Sequence, residues 1–516
     1  MQTKRRSRFA GVILFLTCLL WGCGGGSMSS NPAPTITAIS PNTAAWNGPA
    51  FTLTVNGSGF VSGSTVLWNG YPRTTTFVSS SELTAQIPAT DTLAAGTQAI
   101  TATNLSGTSS SLPLTVPCVL ASPGPASTQT VARLGAYYFD GWSGPLTNFH
   151  FNGMLNGAYQ GREPLSGWRD NTSCAVEQQL AWAHEFGLNY FVFDWYYDVA
   201  QNEYEGDNLN NALQTTLSLP NRHGMQFAIQ YVDAPPFVVP SDAWTSTITQ
   251  WLGYMSDPDY VRVNGKPLLV VYSMGLLDQS FTSTAIADSF NQLRAAAQAQ
   301  GLPGVYIVGG LDVSYDPLTQ ALNINDLSMS AADGYDAYSM YNYSTTGVSG
   351  SQAFSMLQGG MEAIWTYVAQ NSPLPHIPVA VDGQDARPTN EWPYWFSRSP
   401  QDVSGFVSAA INWAQTNPSL RPEPPPSPPL VLIEAWNELG EDGILVPTVG
   451  DGTTYGDSLA TMLTGQADNQ ANVEPFVPDP TATKVDPTAT SRSRCDLRFR
   501  KHSPVVTLGE TQVVTQ

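Results

Sequence analysis

Basic residues are scarce in the body of this sequence. The chain has 21 lysines and arginines against 41 aspartates and glutamates, which gives a formal net charge of -20. Ten of the 21 lie within the first eight positions or after position 483, so eleven remain between them. Proteins that bind nucleic acids need clustered lysine and arginine to neutralise phosphates. The composition therefore argues against a nucleic-acid partner and favours neutral ones.

Cysteine and histidine are also scarce, with five of each. They show no CxxC pair and no zinc-ligand spacing, so no metal site is predicted. The sequence also lacks the HExxH helix of zinc proteases and the GxSxG elbow of many serine hydrolases. It lacks a glycine-rich phosphate loop as well, so a nucleotide-binding enzyme is not indicated. No cofactor is expected. Export would allow a disulfide between Cys118 and Cys174, a pairing that the sequence leaves open.

The first segment predicts export. Basic residues 4–8 precede an apolar run from Phe9 to Leu20, and Gly22-Cys23 follows. This order resembles a bacterial lipoprotein signal. The resemblance implies that residues 1–22 are removed, that Cys23 is acylated, and that the protein is anchored in the cell envelope, at the outer membrane or cell surface. A plain signal peptide and a signal anchor are the alternatives, although the run is short for a span of about 20 residues.

A small all-β domain is predicted over residues 34–116, after a flexible tether at 23–33. Alternating apolar and polar runs such as Phe51 to Val55 and Leu83 to Ile87 are separated by Gly, Asn, Pro and Ser, as in an antiparallel sandwich. Ile39-Ser-Pro41 and Val55-Asn-Gly-Ser-Gly-Phe60 closely resemble an IPT/TIG immunoglobulin-like domain. That family serves as a spacer or a binding module, and the spacer role is the preferred one here.

Residues 131–470 predict an α/β fold, a (β/α)8 TIM barrel. A Pro/Ser-rich linker at 117–130 precedes it, and a tail at 471–516 without periodicity is predicted to be disordered. Apolar strands alternate with amphipathic helical segments in this region. The eight strand candidates are Leu134 to Phe139, Tyr190 to Asp194, Gln226 to Tyr231, Leu268 to Tyr272, Val305 to Gly309, Tyr335 to Ser339, Ile377 to Val381 and Val431 to Ala435. An open doubly wound sheet is the alternative, but no GxGxxG loop supports it.

Polar and aromatic residues collect at the predicted strand ends, where the active sites of such barrels lie. Aromatic faces suit the C–H faces of sugars, and acceptors suit their hydroxyls, so this mouth predicts carbohydrate binding. Individually each ring is better explained by a place in the core or at the rim than by contact with a ligand. The substrate-binding candidates are Tyr138, Asp194, Trp195, Tyr231, Tyr341, Asn342, Asp382, Asp385, Trp436 and Asn437.

Glu438 and Glu441 follow the last predicted strand. Glycosidic cleavage commonly uses two carboxyl groups, one that donates a proton to the leaving oxygen and one that acts as base or nucleophile. Close carboxyl groups disfavour double ionisation, so one of them is able to stay protonated. By spacing alone an exposed acidic turn explains the pair equally well.

Longer stretches resemble glycoside hydrolase family 99 and its relatives. The clearest is Trp436-Asn437-Glu438-x-x-Glu441-x-Gly443, and the likeness spans about positions 133 to 463. Other matching stretches are Gly135 to Tyr138, Phe191 to Trp195, Val263 to Leu268, Gly334 to Ala337, Val446-Pro447 and Tyr455-Gly456. The resemblance implies a retaining hydrolase without a metal, in which Glu438 acts as base on the sugar 2-hydroxyl and Glu441 as general acid/base.

Two positions depart from that family. Leu439 stands where tryptophan is usual, and Asp442 intervenes before Gly443. The expected substrate is therefore an α-mannan, an α-glucan as in family 71, or another polysaccharide. The alternatives to a hydrolase are a non-catalytic glycan-binding or adhesive lipoprotein and an accessory protein in surface polysaccharide biosynthesis.

Overall fold

The computed structural model describes the two predicted domains. It covers residues 32–46, 48–92, 96–117, 131–144, 149–151, 153–155, 158–170, 172–197, 209–324, 327 and 332–465. Several predictions lie wholly or largely outside these residues: the signal peptide, the acylated Cys23, the tether, the linker with Cys118, and the tail. By its contacts the chain divides into two compact units, and each is described separately below.

The first domain is all-β. One sheet has the order β1-β2-β6-β5, and the other has the order β4-β3-β7-β8 with β9 paired to β7. Alternate side chains of β6, such as Leu83 and Ile87, are buried, which is the period expected of a sheet with one face on a core. The strands are β1 (Thr35–Ser40), β2 (Phe51–Ser58), β3 (Thr65–Trp68), β4 (Tyr71–Pro72), β5 (Thr75–Ser79), β6 (Glu82–Ile87), β7 (Gly96–Asn104), β8 (Gly107–Thr108) and β9 (Leu112–Val116), with a 3-10 turn at Ala89–Thr92.

The second domain is built around eight parallel strands in chain order. They are β10 (Arg133–Tyr138), β11 (Tyr190–Trp195), β12 (Gln226–Tyr231), β14 (Lys266–Val271), β15 (Tyr306–Gly310), β18 (Ala337–Ser339), β21 (Val379–Val381) and β23 (Leu430–Glu434). Strand β23 pairs with both β10 and β21. An isolated bridge between Tyr338 and His376 joins the sixth and seventh members, so the ring is nearly closed. The predicted barrel is confirmed, and the open sheet is not what forms.

Helices surround the barrel strands, which are buried on both faces and are therefore almost wholly apolar. Several helices begin at a residue whose side chain accepts a backbone N–H: Thr172, Ser273, Thr282 and Ser399, the last in a capping box with Asp402. The helices are α1 (Ser173–Glu185), α2 (Asn211–Ser218), α3 (Trp244–Met255), α4 (Met274–Ser280), α5 (Ser283–Ala299), α6 (Phe354–Asn371), α7 (Pro400–Thr416) and α8 (Thr454–Thr464). This domain also contains 3-10 helices at Phe149–Phe151, Gln160–Arg162 and Pro418–Leu420.

Short strands decorate the barrel, most of them in the loops that follow its strands. They are β13 (Arg262–Val263), β16 (Val313–Asp316), β17 (Ala321–Ile324), β19 (Ser344–Thr345), β20 (Gly350–Ala353), β22 (Tyr394–Ser397), β24 (Asn437–Glu438) and β25 (Gly443–Ile444). Within the part of the chain described, no helix is long and apolar enough to cross a membrane.

Candidate active site

Glu438 and Glu441 lie on a tight hairpin after the eighth barrel strand. Strand β24 pairs with β25, Glu438 opposite Gly443, and a four-residue loop connects them. The N–H of Glu441 donates to the carbonyl of Glu438 at 3.0 Å, and Asp442 closes the loop at φ +71°, a conformation that aspartate tolerates better than most residues. Leu439, where the family usually has tryptophan, is fully buried. Both glutamates are half-buried, so the segment is not an exposed acidic turn.

Asp442 and two arginines anchor this hairpin. Arg398 lies 3.3 Å from one oxygen of Asp442, and Arg162 lies 3.5 Å from the other. Arg162 also donates to the carbonyl of Leu439 at 2.9 Å, and Arg398 donates to that of Ile444 at 3.0 Å. Charged hydrogen bonds among poorly exposed groups are strong and directional. The extra acidic residue in the motif thus ties the glutamate loop to the barrel.

A cavity of about 230 Å³ opens at the carboxyl ends of the barrel strands and contains both glutamates in its lining. Aromatic rings form much of the wall: Tyr196 packs edge-on against Phe237 at 4.9 Å, and Phe139 against Trp142 at 5.3 Å. The full lining is Phe139, Trp142, His150, Asp194, Tyr196, Leu209, Val232, Ala234, Phe237, Tyr272, Leu276, Leu311, Asp312, Val313, Tyr341, Asn342, Ser344, Thr389, Glu391, Glu438, Gly440 and Glu441.

Tyr341 connects the sixth barrel strand to Glu438. Its hydroxyl donates to Oε1 of Glu438 at 2.8 Å. Burial raises the pKa of Tyr341 well above its ordinary value, and the nearby Asp194 and Glu438 carboxylates raise it further. Tyr341 therefore stays protonated and donates at any working pH. A hydrogen bond to the carboxylate form favours that form, so Glu438 is held ready to accept a proton.

Five of the predicted site residues lie together in the cavity wall. These are Glu438, Glu441, Asp194, Tyr341 and Asn342. Asp194 is the penultimate residue of the second strand and lines the cavity, whereas its neighbour Trp195 packs outward against Trp251 of helix α3, with ring centroids 5.1 Å apart. Neighbouring residues on a strand point to opposite faces, so a strand end contributes only alternate side chains to the mouth.

Three other candidates are buried in the wall behind the cavity and do not line it. Trp195 and Tyr231 both pack against Trp251, and the hydroxyl of Tyr231 accepts the backbone N–H of Val239 at 2.7 Å. The Tyr138 hydroxyl donates to Asp170 at 2.9 Å. The hydroxyls of Tyr231 and Tyr138 thus support the loops that form the mouth.

The last four candidates support the glutamate hairpin from below. Asn437 exchanges hydrogen bonds with the backbone of Phe139, at 2.8 and 3.0 Å, and Trp436 donates to Gln179 of helix α1 at 2.9 Å. Asp382 accepts the backbone N–H of Ala435 at 2.9 Å, and Asp385 pairs with Arg162 at 2.6 Å. None of the four lines the cavity, and all are buried.

Several lining residues were not among the sequence candidates. Phe139, Trp142 and Tyr196 lie in the same strand-end clusters as the candidates, and the alternation of side chains along those clusters was the available signal. His150, Phe237, Asp312 and Glu391 come from long loops, where no periodicity marks them. Within the described ranges, no group of three or more His, Cys, Asp or Glu side chains is arranged to hold a metal ion.

Comparison with known families agrees with this architecture. Residues 34–116 match the model of the IPT/TIG domain, as the sequence predicted. The first domain is an IPT/TIG domain. Residues 239–459, which include the glutamate pair, match the family described as Glycosyltransferase WbsX. No curated protein matches the chain.

Solved structures resemble parts of the chain at low identity. The family 99 endo-alpha-mannosidase from Bacteroides thetaiotaomicron is 14% identical, with 65% of this chain and 97% of that chain covered and a TM-score of 0.44. A family 5 xyloglucanase from Bacteroides ovatus is 8% identical over 82% of this chain and 97% of that one, with a TM-score of 0.33. For the IPT/TIG domain, that of human nuclear factor of activated T-cells, cytoplasmic 4, is 20% identical over 19% and 99%, with a TM-score of 0.15.

Proposed function

We propose that this protein is a retaining glycoside hydrolase that acts on a polysaccharide or oligosaccharide. The observation that supports this most is that Glu438 and Glu441 share one aromatic cavity at the carboxyl end of a (β/α)8 barrel. Two carboxyl groups supply the acid and the base for cleavage of a glycosidic bond, and aromatic rings suit the C–H faces of a sugar.

The proposed roles are those that the resemblance to family 99 implies, and the hydrogen bond that Glu438 receives supports its role as base. Held as a carboxylate by Tyr341, Glu438 takes the proton of the sugar 2-hydroxyl, and the freed oxygen attacks C1. Glu441 gives its proton to the leaving oxygen as the glycosidic bond breaks, which forms a 1,2-anhydro sugar. Water then attacks C1 and loses a proton to Glu441, while the opening epoxide oxygen regains the proton from Glu438. Two inversions at C1 give net retention.

Reducing-sugar release from a panel of neutral α-mannans, α-glucans and other polysaccharides tests this function. Glu441→Gln and Glu438→Gln are each expected to lower release by roughly 10²-fold or more, because positioned acids and bases contribute about 10² to 10⁴. Glu362→Gln is the matched control, since Glu362 is exposed on the outer helix α6. Proton NMR of the first product reports the anomeric configuration. Binding to a glycan with no release by the wild type, under any condition tried, would favour the non-catalytic glycan-binding alternative.

Glycosyl transfer is the second candidate, because the matched family is described as a glycosyltransferase. The same covalent chemistry transfers the sugar when a hydroxyl of an acceptor replaces water, and such a reaction would serve surface polysaccharide biosynthesis. A nucleotide-sugar donor fits less well, since the described cavity lining contains no lysine or arginine for a diphosphate. Product analysis with and without an acceptor oligosaccharide separates the two: new, longer oligosaccharides show transfer.

We further propose that the enzyme is exported and lipid-anchored at Cys23, with the IPT/TIG domain as a spacer. The basic and apolar leader before Cys23 supports export. Cys174 is disulfide-bonded. Disulfides persist in oxidising compartments such as the bacterial periplasm and cell surface, which agrees with the leader.

A further inference from the structure

Carboxyl groups are numerous among the polar side chains of the cavity. Five of the side chains that line it are acidic: Asp194, Asp312, Glu391, Glu438 and Glu441. Two of them carry the proposed chemistry, which leaves three with no part in bond cleavage. His150 contributes an imidazole, and the described lining contains no lysine or arginine.

Three arginines at this end of the barrel pair with aspartates that do not line the cavity. Arg162 and Arg398 lie beneath the glutamate hairpin and pair with Asp385 and Asp442. Arg387 makes two hydrogen bonds of 2.7 Å to Asp385 and covers the ring of Trp395. Each of these three guanidinium groups is thus matched to an aspartate outside the lining of the cavity.

The barrel loops that the structure does not describe add no basic residue. Residues 145–148, 152, 156–157, 171, 198–208, 325–326 and 328–331 contain no lysine or arginine in the sequence, and four residues of 198–208 are aspartate or glutamate. Whatever their positions, these segments bring no cation to the cavity.

Further aspartates lie behind the wall opposite the hairpin. Asp312 accepts the Ser273 hydroxyl at 2.6 Å and the Gly275 N–H at 2.9 Å, so its side chain is held in place. The N–H of Ser273 donates to the buried Asp233 at 3.0 Å, and Asp278 lies on the helix that Ser273 caps. Asp312, which follows strand β15, is therefore a fixed acidic group of this wall beside the start of helix α4.

We propose that the cavity selects glycans whose bound sugar carries no acidic group, namely neutral or amino sugars, and rejects uronic acids and sulfated or phosphorylated sugars. The inference rests on the proposed function, because it concerns what occupies the same site. An anionic sugar would lose water and meet carboxylates in a described lining that contains no lysine or arginine. A neutral sugar offers hydroxyl donors to the same carboxylate acceptors.

Three forms of one substrate test the proposal. The neutral polysaccharide that the wild type cleaves is compared with its C6-oxidised form, which bears carboxylates at unchanged linkages, and with the methyl ester of that form, which has similar bulk and no charge. We expect kcat/KM to fall at least about tenfold on oxidation and to recover on esterification. The fall in kcat/KM on oxidation should become smaller as the salt concentration rises from about 20 mM to about 500 mM, because salt screens exposed charges.

A variant at the edge of the cavity tests whether its acidic side chains cause this discrimination. Glu391 is exposed at the edge of the cavity, so Glu391→Gln is expected to reduce the ratio of kcat/KM for the neutral polysaccharide to kcat/KM for the oxidised one about threefold. Glu362→Gln on the outer helix should leave this ratio unchanged. The inference would be overturned, and the hydrolase function would stand, if the neutral and oxidised forms were cleaved equally well. The same holds if neither the oxidised form nor its methyl ester were cleaved.

A binding assay separates this inference from the function. Calorimetric titration with oligosaccharides of the neutral and oxidised polymers measures discrimination without turnover. Tighter binding of the neutral form by a protein that releases no sugar would support charge selection and reject the hydrolase. Tighter binding of the oxidised form would reject charge selection.

Discussion

At the scale of single residues, Tyr341 favours the carboxylate form of Glu438. Its hydroxyl is 2.8 Å from the glutamate, and burial with two nearby carboxylates keeps its pKa far above ordinary working pH. Tyr272 and Tyr137 pack against the ring at 5.6 and 4.8 Å and fix its direction. The donor is therefore preorganised toward a carboxylate that must accept a proton.

Replacing Tyr341 by phenylalanine is expected to slow the reaction and to move its pH profile. Without the donor the carboxylate form of Glu438 is less favoured, so its pKa rises and the acidic limb of kcat/KM shifts to higher pH. A fall in kcat of about tenfold is expected at the optimum. Tyr343→Phe is the control, because the Tyr343 hydroxyl donates to the carbonyl of Leu357 away from the cavity. An unshifted acidic limb in Tyr341→Phe would contradict this role.

At the scale of elements, the hairpin Asn437–Ile444 depends on Asp442. This residue adopts φ +71° and faces both Arg162 and Arg398, whose other hydrogen bonds reach the hairpin backbone. Gly383 lies so close beneath that a Cβ there would overlap the carbonyl of Asp442. The loop is thus held by the ion pairs of Asp442 and by close backbone contact with Gly383.

The variant Asp442→Asn is expected to destabilise the protein and to impair catalysis together. It leaves two poorly exposed arginines short of a negative partner, and removing one member of a buried ion pair costs about 3–5 kcal/mol, reduced here because Asp382 and Asp385 remain. Urea unfolding and kcat measured on the same preparation report both effects. Asp288→Asn, on the exposed face of helix α5, should change neither.

Helix α4 contains a carboxyl group that opposes folding at neutral pH. Burial, with Asp333 and Asp312 nearby, raises the pKa of Asp278 to about 6. Because the folded-state pKa exceeds the unfolded one, near 3.9, the native state binds the extra proton. The stability it contributes is full below about pH 4 and is lost as pH rises through about 6.

Asp278→Asn should therefore raise the melting temperature at pH 7.5 and leave it nearly unchanged at pH 4. The amide keeps the shape of the protonated acid and cannot ionise. Thermal melts at the two pH values measure the difference, and Asp288→Asn serves as the exposed comparison on helix α5. An equal shift at both pH values would show that charge at residue 278 is not the cause.

At the scale of the whole molecule, the proposed export and anchoring depend on the part of the chain before the barrel. The leader, Cys23 and the IPT/TIG domain precede the proposed enzyme, and the acidic body of the chain disfavours binding to anionic lipid by charge. Membrane attachment is then expected to depend on acylation, with a second acyl chain needed for stable anchoring.

Cys23→Ser tests that expectation in the native bacterial host or a related one. The wild type should fractionate with membranes and incorporate labelled fatty acid, whereas the variant should lose the label and either appear in soluble fractions or retain an uncleaved leader. Cys495→Ser is the matched control. Label that persists in Cys23→Ser would reject this anchor.

The eight strands and their order were predictable from sequence because each is an apolar run bounded by turns, and a parallel sheet buries such runs on both faces. The meeting of polar strand ends at one mouth follows from the same topology. Only tertiary structure decided which polar residues enter the cavity. Asp194 and Trp195 are neighbours that point to opposite sides, and Tyr341 reaches Glu438 across 97 positions of chain. Such pairings depend on register and loop path, which local sequence patterns do not encode.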